Sequence, residues 1–164
     1  MNSKKLFIWG FLFMSVIGTL LHFVYEWSGN NSIVRLFAPW NESTWEHMKL
    51  LFFPMLVLVL FLFFKLPEQS PIPAALSIGT LVGLVLIPIL FYTYTGVLGF
   101  SVMAIDIAIF YISVLGVFLT GWFLKDNRKL ANRNGLLLTC LVILAILFFI
   151  FSYYPPEIGL FQEP

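Results

Sequence analysis

The chain is a succession of long apolar runs separated by short polar connections. A helix needs about 20 apolar residues to cross roughly 30 Å of hydrocarbon. Five runs meet that length, at about 6–25, 45–64, 72–94, 100–124 and 135–153. The first is longer than the apolar part of a secretory signal, so we expect an uncleaved helix. The pattern predicts an all-α polytopic bundle of about five spans, forming a single transmembrane domain over residues 1–164.

Composition supports this class. Hydrophobic residues make up 60% of the chain and charged residues only 10%, whereas soluble domains carry about 25% charge. A net charge of +1, without a basic stripe, argues against a nucleic-acid partner. The lone cysteine, Cys140, excludes an intrachain disulfide and lies in an apolar run typical of packing. The partner that composition indicates is the lipid bilayer.

The basic residues predict an orientation, because Lys and Arg accumulate on the cytoplasmic side of membrane proteins. With the N-terminus inside, seven of the nine basic residues fall on the cytoplasmic side, and only Arg35 and Lys49 fall outside. We therefore expect a cytoplasmic N-terminus and an extracytoplasmic C-terminus. Most of the acidic residues then lie at the outer face.

Polar residues concentrate between the first two spans. Both histidines and three of the eight acidic residues fall within positions 22–47. His22 and Glu26 are four residues apart, which places them on one face of a continuous helix. Glu42 and Glu46 have the same spacing at the start of the second span, and His47 follows Glu46.

Asp106 is the one acidic residue well inside a predicted span. It lies about 9 Å below the outer end of the fourth span, and His22 lies about 6 Å below the outer end of the first. A carboxylate at that depth costs on the order of 2.5 to 3.5 kcal/mol on insertion scales and normally has a partner. The matching depths predict that Asp106 meets His22 or His47.

These residues suggest an outer-leaflet metal site. Imidazole and carboxylate groups together suit Zn²⁺, Mn²⁺ or Fe²⁺. A divalent metal beside a spare carboxylate supports hydrolysis, here of a lipid or a lipid-linked group. Glu26 and Asp106 are the candidate catalytic residues. The candidate metal ligands are His22, Glu26, Glu42, His47 and Asp106.

A structural interpretation competes at the start of the second span. Ser43-Thr44-Trp45-Glu46 fits a capping box, in which Ser43 and Glu46 satisfy the first amides of the helix. Lys49, three residues after Glu46, is placed to pair with it. Glu46 is then a capping or supporting residue, and His47 an ordinary interfacial histidine.

Two further functions stay open. A buried Asp106 near a histidine, with prolines inside the spans, also suits a small proton-coupled transporter or a transporter accessory. Such transporters commonly use paired repeats, which the chain lacks, so this function requires a homodimer. The other alternative is a membrane scaffold that binds a protein partner through its outer face.

Two segments resemble a known family. HFVYEWSG at 22–29 and NESTWEHMKL at 41–50 are similar to an uncharacterised family of small bacterial integral membrane proteins, with a weaker match in the tail from Tyr154 to Phe161. The resemblance implies a multi-pass protein of the bacterial inner membrane. It implies no reaction, because the family has no assigned activity.

Overall fold

The computed structural model describes residues 2–163, and five long helices account for most of them. Each is long and apolar enough to cross a membrane. The described part of the chain contains no β-strand, so the predicted all-helical, five-span architecture is confirmed and the protein is a multi-pass membrane protein. The helices are α1 (Ser3–Trp27), α2 (Thr44–Lys65), α3 (Ile72–Leu98), α4 (Met103–Leu124) and α5 (Asn134–Tyr153).

Helix α2 lies at the centre of the bundle. It packs against α1, α3 and α5, and α4 packs against α3 and α1. The core side chains of α2 include Leu51, Phe52 and Met55, and Phe148 of α5 packs against Phe52 with ring centroids 4.8 Å apart. Large apolar side chains of the outer helices, such as Trp9, point away from this core. They suit contact with lipid rather than water.

Small residues bring α3 and α4 together. A Cβ added at Gly79 would lie 2.3 Å from the Val117 carbonyl oxygen, and one at Gly83 would lie 3.0 Å from the Ser113 carbonyl oxygen. Such close backbone approach is the usual way that helices associate in lipid, where burial from water supplies little force. The two helices therefore form a tight hairpin.

The turn of this hairpin shifts two of the expected boundaries. Helix α3 runs to Leu98, and Gly99 ends it in a left-handed conformation with φ of 81°. Helix α4 begins only at Met103, after the extended residue Val102. The residues on both sides of this turn are apolar, so the sequence pattern does not show where α3 ends and α4 begins. Only the backbone geometry shows the break.

At one end of the bundle, which we call the polar end, α1, α3 and α5 finish and α2 and α4 begin. The loop of residues 28–43 folds over this end and is bonded to α5. The Tyr153 hydroxyl donates to the Ser32 carbonyl at 2.8 Å, and Arg35 Nη2 donates to the Ser152 carbonyl at 2.6 Å. The polar stretch of the sequence is thus gathered on one end.

Candidate functional site: a histidine cluster at the polar end

Helix α1 positions the first candidate residues. His22 and Glu26 lie one turn apart near its end and line the same cavity of about 120 Å³, as the spacing predicts. The loop supplies the opposite wall through Pro39, Trp40 and Glu42. His22 is partly buried and Glu26 is exposed.

The start of α2 positions the second histidine. Ser43 is the N-cap, and its hydroxyl oxygen accepts a hydrogen bond from the Glu46 amide at 3.3 Å. The Ser43 carbonyl accepts from the His47 amide at 3.1 Å, and His47 Nδ1 lies 3.1 Å from the same oxygen. The cap therefore orients the His47 ring as well as starting the helix.

His22, Glu42 and His47 come together, and we call these three residues the histidine cluster. One ligand atom from each lies within 4.8 Å of those of the other two. His47 Nε2 lies 3.3 Å from Glu42 Oε2, and the two imidazole rings have centroids 5.3 Å apart. Two helices and one loop thus present three metal-ligating groups to one point.

One nitrogen of the cluster has no hydrogen-bond partner. His22 Nδ1 is buried and makes no hydrogen bond to residues 2–163. The roles of the two His47 nitrogens depend on the protonation of the ring. A protonated His47 forms an ion pair with Glu42, whereas a neutral ring with its hydrogen on Nδ1, toward the Ser43 carbonyl, turns the Nε2 lone pair toward Glu42. In that neutral form a cation between Nε2 and the carboxylate would bind both.

The donor set fits a divalent transition metal. Two imidazoles and one carboxylate are common zinc ligands, and the hydrogen bond from the other His47 nitrogen to a carbonyl is the usual support for such a ligand. Zn²⁺ bonds of about 2.0 to 2.2 Å place neighbouring ligands about 3.3 to 3.5 Å apart. The 3.3 Å between His47 and Glu42 already meets this spacing, and three protein ligands leave a fourth position free.

Glu46 belongs to a different cluster, formed with Lys49 and Ser152, which we call the lysine network. Lys49 Nζ donates to Glu46 Oε2 at 2.6 Å and to Ser152 Oγ at 2.5 Å. The side chains of Lys49 and Glu46 are only 0% and 3% exposed. The expected pairing of Lys49 with Glu46 is thus present.

The expected capping box is present only in part. Ser43 caps the helix, but its own amide donates to Asn41 Oδ1 at 3.1 Å. The Glu46 carboxylate instead accepts from the Trp40 amide at 3.4 Å. Glu42 and Glu46 do not share a helical face either, because Glu42 precedes the N-cap at Ser43 and helical spacing does not apply to it.

Asp106 makes no hydrogen bond or ion pair with either cluster among residues 2–163. Its carboxylate accepts a hydrogen bond from the Tyr94 hydroxyl, across the turn between α3 and α4. The same hydroxyl oxygen accepts from the Val102 amide at 3.1 Å. The expectation of a histidine partner was built on depth alone, and depth does not say which way round the helix a side chain points.

Sequence reasoning missed Ser152 as a participant. It is a fully buried serine one residue before the end of the largely apolar α5. The signal that could have found it is Lys49, because a lysine in an apolar span needs hydrogen-bond acceptors at its own depth.

Comparison with known proteins gives a family and no activity. A family model described as a family of unknown function, DUF6512, matches residues 1–164. No curated protein and no solved structure matches the sequence.

Proposed function

The chain belongs to the DUF6512 family of unknown function, and we propose that it is a membrane protein that binds a divalent transition metal in the histidine cluster. The observation that carries the proposal is the approach of His22, Glu42 and His47, with their ligand atoms within 4.8 Å of one another. The unbonded His22 Nδ1 and the 3.3 Å approach of His47 Nε2 to Glu42 Oε2 support it. Zn²⁺ is the best match to the donors, followed by Fe²⁺ and Mn²⁺.

Each residue of the cluster has a distinct task in this proposal. His47 and Glu42 provide the pair of ligands already at metal spacing, and Ser43 holds the His47 ring through its carbonyl. His22 completes the set from α1. Its neighbour Glu26 lines the adjoining cavity and lies outside the group of three.

The experiment that tests metal binding is elemental analysis. Protein purified in nanodiscs is stripped with a chelator, incubated with Zn²⁺, Fe²⁺ or Mn²⁺, and freed of unbound metal. We expect one metal per chain in the wild type and loss of it in a His22→Ala/His47→Ala variant. Glu157→Gln, which removes an exposed glutamate from the tail, is the control and should keep the metal. Wild-type protein without stoichiometric metal would refute the proposal.

Hydrolysis of a lipid or lipid-linked group is the reaction that this site supports best. A divalent metal at this position would supply Lewis acidity to a bound substrate or water. Glu26, an exposed carboxylate on the wall of the same cavity, is the residue placed to accept a proton. The cavity lies at an end of the membrane-spanning bundle, where lipid head groups are found.

Glu26→Gln separates binding from reaction. We expect this variant to keep its metal and to lose cleavage of a panel of phospholipids and polyprenyl-linked lipids, followed by mass spectrometry. Equal cleavage by the variant and the wild type would remove Glu26 from the proposed chemistry.

Proton-coupled transport is less well supported, because Asp106 is bonded to Tyr94.

The proposed setting is the bacterial inner membrane, with the polar end outside. Seven of the nine basic residues lie in the N-terminal segment and at the opposite end of the bundle, which supports this orientation. Alkaline phosphatase is active only outside the cytoplasm, so a fusion of it to the C-terminus should be active. In the 125–133 connection, a phosphatase fusion should be inactive and a reporter that fluoresces in the cytoplasm should fluoresce.

A further inference from the structure

The loop that carries Glu42 is attached to the bundle through Lys49. The three donors of an ammonium group are all used here. They go to the Glu46 carboxylate, to the Ser152 hydroxyl and, at 2.9 Å, to the carbonyl oxygen of Arg35 in the loop. A buried lysine near the start of the central helix α2 therefore holds the backbone of a surface loop.

Glu46 holds the same loop at a second point. Its carboxylate accepts from the Trp40 amide at 3.4 Å, two residues before Glu42. Across Glu42, the side-chain oxygen of Asn41 accepts from both the amide and the hydroxyl of Ser43, at 3.1 and 2.8 Å. Glu42 thus lies on a short piece of backbone that is tied on both sides.

The Glu42 side chain itself has little to hold it. It is 68% exposed, and an exposed glutamate ordinarily samples several rotamers. Its approach to His47 therefore depends on where the backbone places it. The ties through Glu46 and Lys49 supply that placement.

We infer that Lys49 and Glu46 are positioning residues, which hold Glu42 against the two histidines. This inference rests on the proposed function, since metal affinity is one of its readouts. Helix α5 takes part without supplying a ligand. Ser152 accepts from Lys49 through its hydroxyl and from Arg35 through its carbonyl, so the end of α5 closes the attachment.

The test replaces the ion pair as a unit. Removing one charge of a buried pair destabilises a protein strongly, whereas replacing both by apolar residues of similar size is often tolerated. In Glu46→Leu/Lys49→Met we expect a thermal midpoint near that of the wild type. We also expect zinc affinity to fall roughly 10- to 100-fold, as when the support of a ligand is lost. The matched control is Lys65→Met/Glu68→Leu, an exposed pair with the same spacing at the opposite end.

Hydrogen exchange gives a readout that does not need metal. We expect the amides of residues 35–43 to exchange faster in the Glu46→Leu/Lys49→Met variant, and no change there in the control. If the double variant fails to fold, Ser152→Ala removes a single acceptor and should show the same two changes at smaller size.

Wild-type zinc affinity in the folded variants, or unchanged exchange over residues 35–43, would overturn the inference. If the wild type binds no zinc, the proposed function fails, and the exchange measurement alone decides whether these residues position the loop.

Discussion

The histidine cluster and the lysine network lie side by side at the polar end, and both take residues from the eight positions between Glu42 and Lys49. In the network, Lys49 and Glu46 are 0% and 3% exposed and the ammonium group has all its partners. In the cluster, His47 and Glu42 are 29% and 68% exposed, and the buried His22 Nδ1 has no hydrogen-bond partner among residues 2–163. Completed bonding in the first region indicates a structural role, and an unbonded nitrogen beside accessible side chains in the second supports the proposed metal site.

Removing one charge from the lysine network should have the largest effect on stability, and it tests whether the two regions differ. In Lys49→Met the Glu46 carboxylate stays buried without its cation, and we expect a loss of about 3 to 5 kcal/mol in the free energy of unfolding. Unfolding in mixed micelles measures it. Lys65→Met, an exposed lysine of the same helix, should change stability by less than about 0.5 kcal/mol. Equal effects of the two variants would contradict a special role for Lys49.

Zinc should stabilise the folded protein through the cluster alone. A ligand that binds only the native state at 100 times its Kd adds about 2.7 kcal/mol to stability. We expect a rise in thermal midpoint on adding Zn²⁺ to the wild type, and no such rise in His22→Ala/His47→Ala. If the double variant rises equally, the zinc is bound elsewhere.

Ser43 belongs to both regions, since it caps α2 and its carbonyl orients His47. In Ser43→Ala the lost N-cap should cost about 1 kcal/mol, measured by the same unfolding assay. Zinc affinity should change little, because the carbonyl that holds His47 and the amide that bonds Asn41 beside Glu42 both remain. Ser32→Ala, in the exposed part of the loop, serves as control. A large drop in zinc affinity would show that the cap hydroxyl matters to the cluster directly.

The smallest change in stability, and the sharpest comparison, comes from the two glutamates at the start of α2. Without metal, Glu42→Gln should alter the unfolding free energy by less than about 0.5 kcal/mol, because the side chain is mostly exposed. Glu46→Gln should cost far more, because it leaves a buried ammonium group without its carboxylate. For zinc affinity measured by titration calorimetry, Glu42→Gln should weaken binding even though it barely affects the fold. Similar stability of the two variants would contradict the assignment of a structural role to the lysine network and not to the histidine cluster.

Much of the fold could be predicted from sequence. Runs of about 20 apolar residues leave helices as the only way to satisfy the backbone in lipid, so the five helices follow. The pairing of Lys49 with Glu46 and the cap at Ser43 follow from local spacing. The break at Gly99 was harder to place, because the residues on both sides are apolar.

The candidate site could be predicted only in part. Spacing placed His22 and Glu26 on one face, which the structure has, and identified His22, Glu42 and His47 as neighbours in a polar stretch. Spacing along the chain could not predict the contact of Ser152 with Lys49, since that contact depends on how α5 packs on α2. It also assigned Asp106 a histidine neighbour from depth, whereas rotation about the α4 axis turns it to Tyr94.

The bond from Lys49 to Ser152 spans 103 residues of sequence, and this separation has a consequence during synthesis. The α3–α4 hairpin can assemble from neighbouring segments as soon as both have entered the membrane. Lys49 and Glu46 enter earlier still, but the serine that completes their bonding arrives only with the last helix. A chain that stops short of α5 therefore has the Lys49–Glu46 ion pair but leaves one of the three hydrogen bonds of the ammonium group unmade.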